Sequence, residues 1–164
     1  MMHVRYIDRV RAYYLSEGYD TPYTWAHFDD IPFTPLRKPL AECRVGLVTT
    51  SEMAMRNTAG EPEETEDDFA RDVYSMPCDT PVAQLYSRKD SYDSYATTLD
   101  DVDSYLPLTR LHEFVAEGRI GSLASNFHVV YSQYSQRKTS QVDAPQILQW
   151  CCEDDVDIVL LTAV

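Results

Sequence analysis

The chain has 164 residues, 44% of them hydrophobic, which is enough for one domain with a packed core and excludes a disordered polymer. Its 27 acidic side chains against 14 Lys and Arg give a formal net charge of −13, which argues against the basic face that a nucleic acid requires and disfavours an anionic membrane. The opening stretch MMHVRYIDRVRAYYLSEGYD is charged throughout without an apolar signal region, and no run approaches the roughly 18 apolar residues of a membrane span, so a cytoplasmic protein is expected.

In that setting Cys43, Cys78, Cys151 and Cys152 are expected as free thiols. No Cys-x-x-Cys spacing occurs and His3, His27, His112 and His128 are scattered, so no zinc or other metal site is expected.

Val4, Ile7, Val10 and Tyr14 recur at three- and four-residue steps, which predicts a short helix stopped at Gly18. Pro22, Pro32, Pro35 and Pro39 then exclude a helix or a central strand, while Tyr23, Trp25, Phe28 and Phe33 suggest an extended arm. Such an arm either covers the domain's own core or grips a partner subunit. Residues 1–41 are thus read as an N-terminal helix and arm, and 42–164 as the α/β domain.

ECRVGLVTTS predicts the first strand, closing on hydroxyls at Thr49, Thr50 and Ser51. The acidic stretch from Glu61 to Asp68 cannot bury itself and predicts a solvated loop. VYSMPCDTP predicts a short strand and a turn, with Asp79 and Thr80 placed to cap the next element. Residues 86–105 read as a long polar loop.

LPLTRLHEFVAEGRIG gives the clearest helix: Pro107 suits the first turn, Leu108, Leu111 and Val115 share a face, and Gly118 ends it. A strand is expected around Phe127–Tyr131. A helix capped by Asp143 comes next, with Ile147, Leu148 and Cys151 facing inward. The last strand, 156–164, is an apolar run of the kind buried on both faces of a parallel sheet. Alternation of this kind predicts an α/β fold: an open, mostly parallel sheet with helices on both faces, Rossmann- or flavodoxin-like.

The chemistry visible in these residues is incomplete. There is no Gly-x-Gly-x-x-Gly after the first strand, no phosphate-binding loop and no Gly-x-Ser-x-Gly elbow. Cys151 and Cys152 sit late in a helix, where neighbouring side chains diverge, and the spacing of Asp79, Asp93, Asp100, Asp101 and Asp103 fits no calcium loop. Ligands of open α/β sheets bind at strand carboxyl ends. That singles out Thr49, Thr50, Asp79, Thr80 and Asp93 as candidate substrate contacts, each also able to serve as a turn or cap residue.

Three stretches carry a family resemblance. PLRKPLAECRVGLVTTS resembles the segment leading into the first strand of the glycine/sarcosine/betaine reductase selenoprotein B family, to which a D-proline reductase subunit is related. PCDTPVAQLYSRKDSYDSY resembles its Asp-Thr turn and adjoining loop, and YLPLTRLHEFVAEGRIGSLASNFH its helix and next strand. Family members often carry histidines where this chain has Arg88 and Ser91, so substrate preference does not transfer.

The resemblance implies an oxidoreductase subunit of amino acid catabolism that reductively cleaves a C–N bond. Its partners would be a pyruvoyl-bearing subunit and a thioredoxin-like reductant, its substrate a small amine or amino acid. It implies no catalytic residue within this chain: a selenocysteine or cysteine, then two residues and a cysteine, is expected immediately after Val164. A truncated selenoprotein and a genuine stop at Val164 both stay open. Residues 1–164 alone are expected to be inactive. The alternative is a non-catalytic binding or assembly domain of the same fold.

Overall fold

The computed structural model describes residues 5–21, 24, 27–32, 34–62, 72–90, 92–131 and 135–164. Contacts divide the chain into two compact units, residues 1–34 and 35–164. In the first, α1 (Tyr6–Ser16) stops where predicted: Gly18 adopts φ +89, and the amides of Gly18 and Tyr19 bond back to the carbonyls of Leu15 and Tyr14. None of its residues is buried, and Tyr14 meets Tyr13 and Tyr19 edge to face. Pro22, Tyr23, Trp25 and Phe33 of the expected arm lie outside the described residues, as does most of the acidic loop.

The second unit is built around β1 (Arg44–Thr49), which is buried along nearly its whole length. β2 (Met53–Met55) comes after a tight turn, then β3 (Tyr74–Pro77) and β4 (Leu85–Ser87), the latter pairing antiparallel with β2 in a small second sheet. α2 (Leu108–Ala116) leads into β5 (Ser122–Leu123) and β6 (Asn126–Val129). These two act as one interrupted strand, pairing parallel with the amino and carboxyl halves of β1. α3 (Gln136–Lys138) runs through a π-helical turn, Thr139–Asp143, into α4 (Ala144–Glu153), and β7 (Ile158–Thr162) closes the described chain. The sheet runs β3, β6 with β5, β1, β7; every pairing is parallel except that of β3 with β6.

Helices lie on both faces. Leu108 and Leu111 of α2 join Val45, Leu47, Phe127 and Val129 in one buried cluster. Because strand side chains alternate, His128 points to the opposite face, where the Trp150 ring of α4 lies 5.2 Å from it, centroid to centroid. Truncating a side chain such as Leu111 to Ala removes about 2–5 kcal/mol. α2 ends as predicted, with Gly118 at φ +69.

The structure corrects three expectations. β7 is not buried on both faces: among the described residues it is an outer strand, with Val159, Leu160 and Leu161 exposed, the last by 74%. An apolar run cannot distinguish an inner strand from an outer one, because the neighbour is a tertiary fact. Asp143 does not cap α4. The chain is already helical there, so no free helix end exists; Ser135 caps it instead, accepting from the Lys138 amide, while the buried Asp143 carboxylate pairs with the Lys138 ammonium. Leu148, expected on the inner side, is 64% exposed.

Close packing at the start of β5 makes a prediction. A Cβ on Gly121 would come within 2.7 Å of the Glu42 carbonyl carbon and 2.9 Å of the Cys43 carbonyl oxygen, both backbone. Gly121→Ala is therefore expected to lower stability by about 1–3 kcal/mol, measured as a shift in the urea midpoint; an unchanged midpoint would contradict this packing.

Candidate functional site

Two ends of the sheet must be distinguished. At the amino end of β1, Arg44 gathers the turn that precedes β7. Its amide donates to Asp157 (2.7 Å) and its guanidinium reaches Asp154 and Ser125. Asp154 also accepts from the Ser125 amide and hydroxyl. Burial acts to raise the Asp154 pKa, but these hydrogen bonds and Arg44 outweigh it and hold the carboxyl below its usual range. The Lys38 ammonium at 2.7 Å, with the Arg44 amide, does the same for Asp157. This end is a latch for register.

At the carboxyl end the strands converge on hydroxyls. Val130 donates to the Thr49 carbonyl (2.8 Å) from one side and Thr50 to the Thr162 carbonyl (3.2 Å) from the other. Thr49 is buried, and its hydroxyl donates to the Tyr105 carbonyl while accepting from the Ser51 amide and sharing a bond with the Ser51 hydroxyl. That exhausts its capacity. Thr50 accepts from the Val164 amide (3.4 Å), and its own hydroxyl proton meets no acceptor among the described residues.

The register of β2 with β4 continues past the strands and brings Arg88 and Lys89 here: the Arg88 amide donates to the Glu52 carbonyl (3.0 Å), and the Lys89 amide to the Ser87 hydroxyl (3.1 Å), which itself donates to the Ser51 carbonyl. The Lys89 ammonium meets Glu52 at 3.3 Å. Nearby Tyr74 donates to the Met53 carbonyl (2.7 Å), its phenol pushed up in pKa by burial.

The five sequence-singled residues do not form one group. Thr49 and Thr50 stand at the carboxyl end. Asp79 and Thr80 come after β3, which runs antiparallel: Pro77 pairs with Asn126 and Tyr74 with Val129, so their turn lies at the amino edge of the parallel strands. The Thr80 amide closes that turn on the Pro77 carbonyl. Asp93 is a turn residue, its carboxylate accepting from the amides of Tyr95 and Ala96 (both 3.1 Å). Glu52 and Lys89 were missed, because a lysine in a polar loop reads as solvated; the register that buries it exists only once β2 and β4 pair. Among the described residues no group of three or more His, Cys, Asp or Glu could hold a metal, and no helix is long and apolar enough to cross a membrane.

A groove of about 570 Å³ lies on the other face, lined by residues including Ser75, His128, Trp150, Glu153 and Asp154. Several of its polar groups are already bonded within the protein. Ser75 and the His128 Nδ1 share a 2.8 Å bond, Glu153 accepts from Gln149 (2.8 Å), and Asp154 serves the latch. The carboxyl edge, where open α/β sheets bind their ligands, is taken as the candidate.

The fold is thus that of a mixed α/β domain with a mostly parallel sheet and helices. The model of the family described as glycine/sarcosine/betaine reductase selenoprotein B (GRDB) matches residues 4–164, and the chain belongs to that family. It is also 30% identical over 137 residues to the D-proline reductase subunit gamma of Acetoanaerobium sticklandii, an alignment covering 80% of this chain and 52% of that protein. The chain therefore spans about half the length of the curated relative it matches. No solved structure matches it.

The side-chain environments make two predictions. His128 is held below its usual value of 6.5 by burial, which outweighs the opposing pull of Asp154. The unfolded chain then binds the extra proton more readily, so stability is full above pH ~6.5 and falls as the pH drops below it. Asp154 stays charged through that window. His128→Gln should flatten the loss of stability between pH 7 and 5 in denaturant titrations; an unaltered slope would exclude His128 as its source.

The second concerns thiols. Cys43, Cys78 and Cys151 are buried and Cys152 is exposed; burial pushes the Cys78 thiol up to about 12. Of these four cysteines in native protein at pH 7, only Cys152 should react fast with a thiol reagent, a labelling located by peptide mass and lost in Cys152→Ser. Fast labelling of Cys43, Cys78 or Cys151 would contradict these environments.

Proposed function

We propose that this chain is the selenoprotein B-type subunit of a reductase that cleaves a C–N bond in a small amine or amino acid of the glycine, sarcosine, betaine or D-proline type. The observation that carries this reading is the family match across residues 4–164. The name of the matched relative, a D-proline reductase subunit, supports the reaction class.

The reaction converts a carbon–nitrogen bond and two thiols into a carbon–hydrogen bond, a free amine and a disulfide. It needs a thiolate or selenolate at the substrate carbon. The cysteines of residues 1–164 do not suit that role. Cys43 donates to the Lys38 and Pro39 carbonyls, burial pushes Cys78 and Cys151 up, and Cys152 lies on the last turn of α4, toward the amino edge of the sheet. The resemblance points to a selenocysteine or cysteine directly after Val164. A selenol there would supply a nucleophile ionised at neutral pH, a cysteine one only with its pKa lowered by its surroundings, and a second thiol would release it by exchange.

This chain's own part would be to hold that position. Parallel pairing of β7 with β1 over five residues, and the bond from the Val164 amide to Thr50, fix the strand end beside the hydroxyls of β1. The substrate amine would be presented by a pyruvoyl-bearing partner subunit, and electrons would come from a thioredoxin-like dithiol.

Reading the gene past codon 164 tests this. A UGA or cysteine codon, then two residues and a cysteine in frame, is expected; any other codon, or no such cysteine, overturns the assignment of the nucleophile. In the assembled reductase, replacing that residue by serine should abolish dithiol-dependent amine release.

A further inference from the structure

Glu52 and Lys89 contribute little to stability for what their placement demands. The Lys89 side chain is 3% exposed and that of Glu52 18%, yet their contact is 3.3 Å. Charge-assisted bonds are typically about 2.7–2.9 Å, and the half-exposed Lys38 reaches its carboxylate at 2.7 Å. Glu52 is the one side-chain partner of the Lys89 ammonium among the described residues. Removing an ammonium from water carries a desolvation cost that an ion pair offsets only with excellent geometry. Glu52 adds a second penalty: it sits at φ +50, a left-handed conformation that a residue other than glycine adopts only at a cost.

Both penalties fall beside the carboxyl end of the central strand. Backbone strain held in place by its surroundings clusters at ligand-binding sites. In a chain with a net charge of −13, a cation buried there selects an anion.

We propose that Lys89 and Glu52 are the recognition pair for an amino-acid zwitterion, Lys89 receiving the carboxylate and Glu52 the cationic nitrogen until the pyruvoyl-bearing partner takes it up. The inference rests on the function proposed above and names the residues that would sort its substrates. Without ligand the two side chains neutralise each other. A zwitterion brings the same two charges in opposite order, so its insertion exchanges one long ion pair for two and leaves the site's net charge unchanged. A neutral-ended amine offers Lys89 nothing, and a simple carboxylate leaves Glu52 unpaired. Entry is from the Glu52 side, the more exposed member.

The test is calorimetric titration of the full-length protein with D-proline and betaine, and with pyrrolidine and propionate as single-charge halves. Zwitterions should bind at least ten-fold tighter than either half. Lys89→Met should weaken D-proline at least ten-fold while Lys89→Arg keeps most of the affinity. Lys89→Met leaves Glu52 without its partner, so its fold is checked against the double variant Lys89→Met/Glu52→Leu, which removes the whole pair and is the change that is often neutral. Should the thermal melt show Lys89→Met unfolded, Glu52→Gln provides the same discrimination, weakening D-proline but not propionate.

Unchanged D-proline affinity in the folded variants, or zwitterions binding no better than pyrrolidine, overturns the inference. The reductase reading is judged separately. Turnover in the assembled complex that is indifferent to Lys89 sinks the pair but keeps the reaction class; absence of turnover in the wild-type complex sinks the class.

Discussion

The parallel pairing of β1 on both its flanks is the constraint on which the remaining geometry depends. β6 and β7 each lie beside β1 in fixed register, with Thr49 opposite Val129 on one side and Thr162 on the other. A slip of one residue would turn Val45 and Leu47 out of the core and bring Gly46 and Val48 into it. Arg44, Asp154 and Asp157 oppose such a slip at the amino end, where backbone and side-chain bonds run in both directions between residues 44 and 157. Gly46 serves the same end: it leaves room for Val156, whose methyl group would stand 3.1 Å from an added Cβ.

With the amino end latched, the carboxyl end can carry groups that are poor for stability. Thr49 and Ser51 are polar and buried, and satisfy one another. Lys89 and Glu52 are less well matched. The division is physical: one end of the sheet holds depressed carboxyl pKa values and short ion pairs, the other a strained turn and a long one. Stability is concentrated away from the edge at which this family's chemistry is proposed to occur.

Much of the fold was legible in the sequence because hydrophobic period reports local structure. α1, α2, β1, β6 and β7 lie where spacing put them, with Gly18 and Gly118 as stops. The family, too, was readable from three stretches. What spacing could not report was pairing. The antiparallel direction of β3 removes Asp79 and Thr80 from the edge holding Thr49 and Thr50, and no property of PCDTP encodes it. The pairing of β2 with β4, inside what reads as polar loop, buries Lys89. β7 looked like an inner strand because its composition is that of one, yet its outer side is open among the described residues. Of the candidate contacts, Thr50 alone combines the right edge with a hydroxyl donor still unspent among the described residues.

The central claim is that the carboxyl edge of β1 is the working end of this domain. Hydrogen–deuterium exchange of the full-length protein with and without saturating D-proline tests it most directly. The account predicts slowed exchange confined to residues 50–52, 88–90 and 162–164. Protection centred instead on residues 78–80 and 125–126 at the amino edge, or on the groove beneath Trp150, would contradict it.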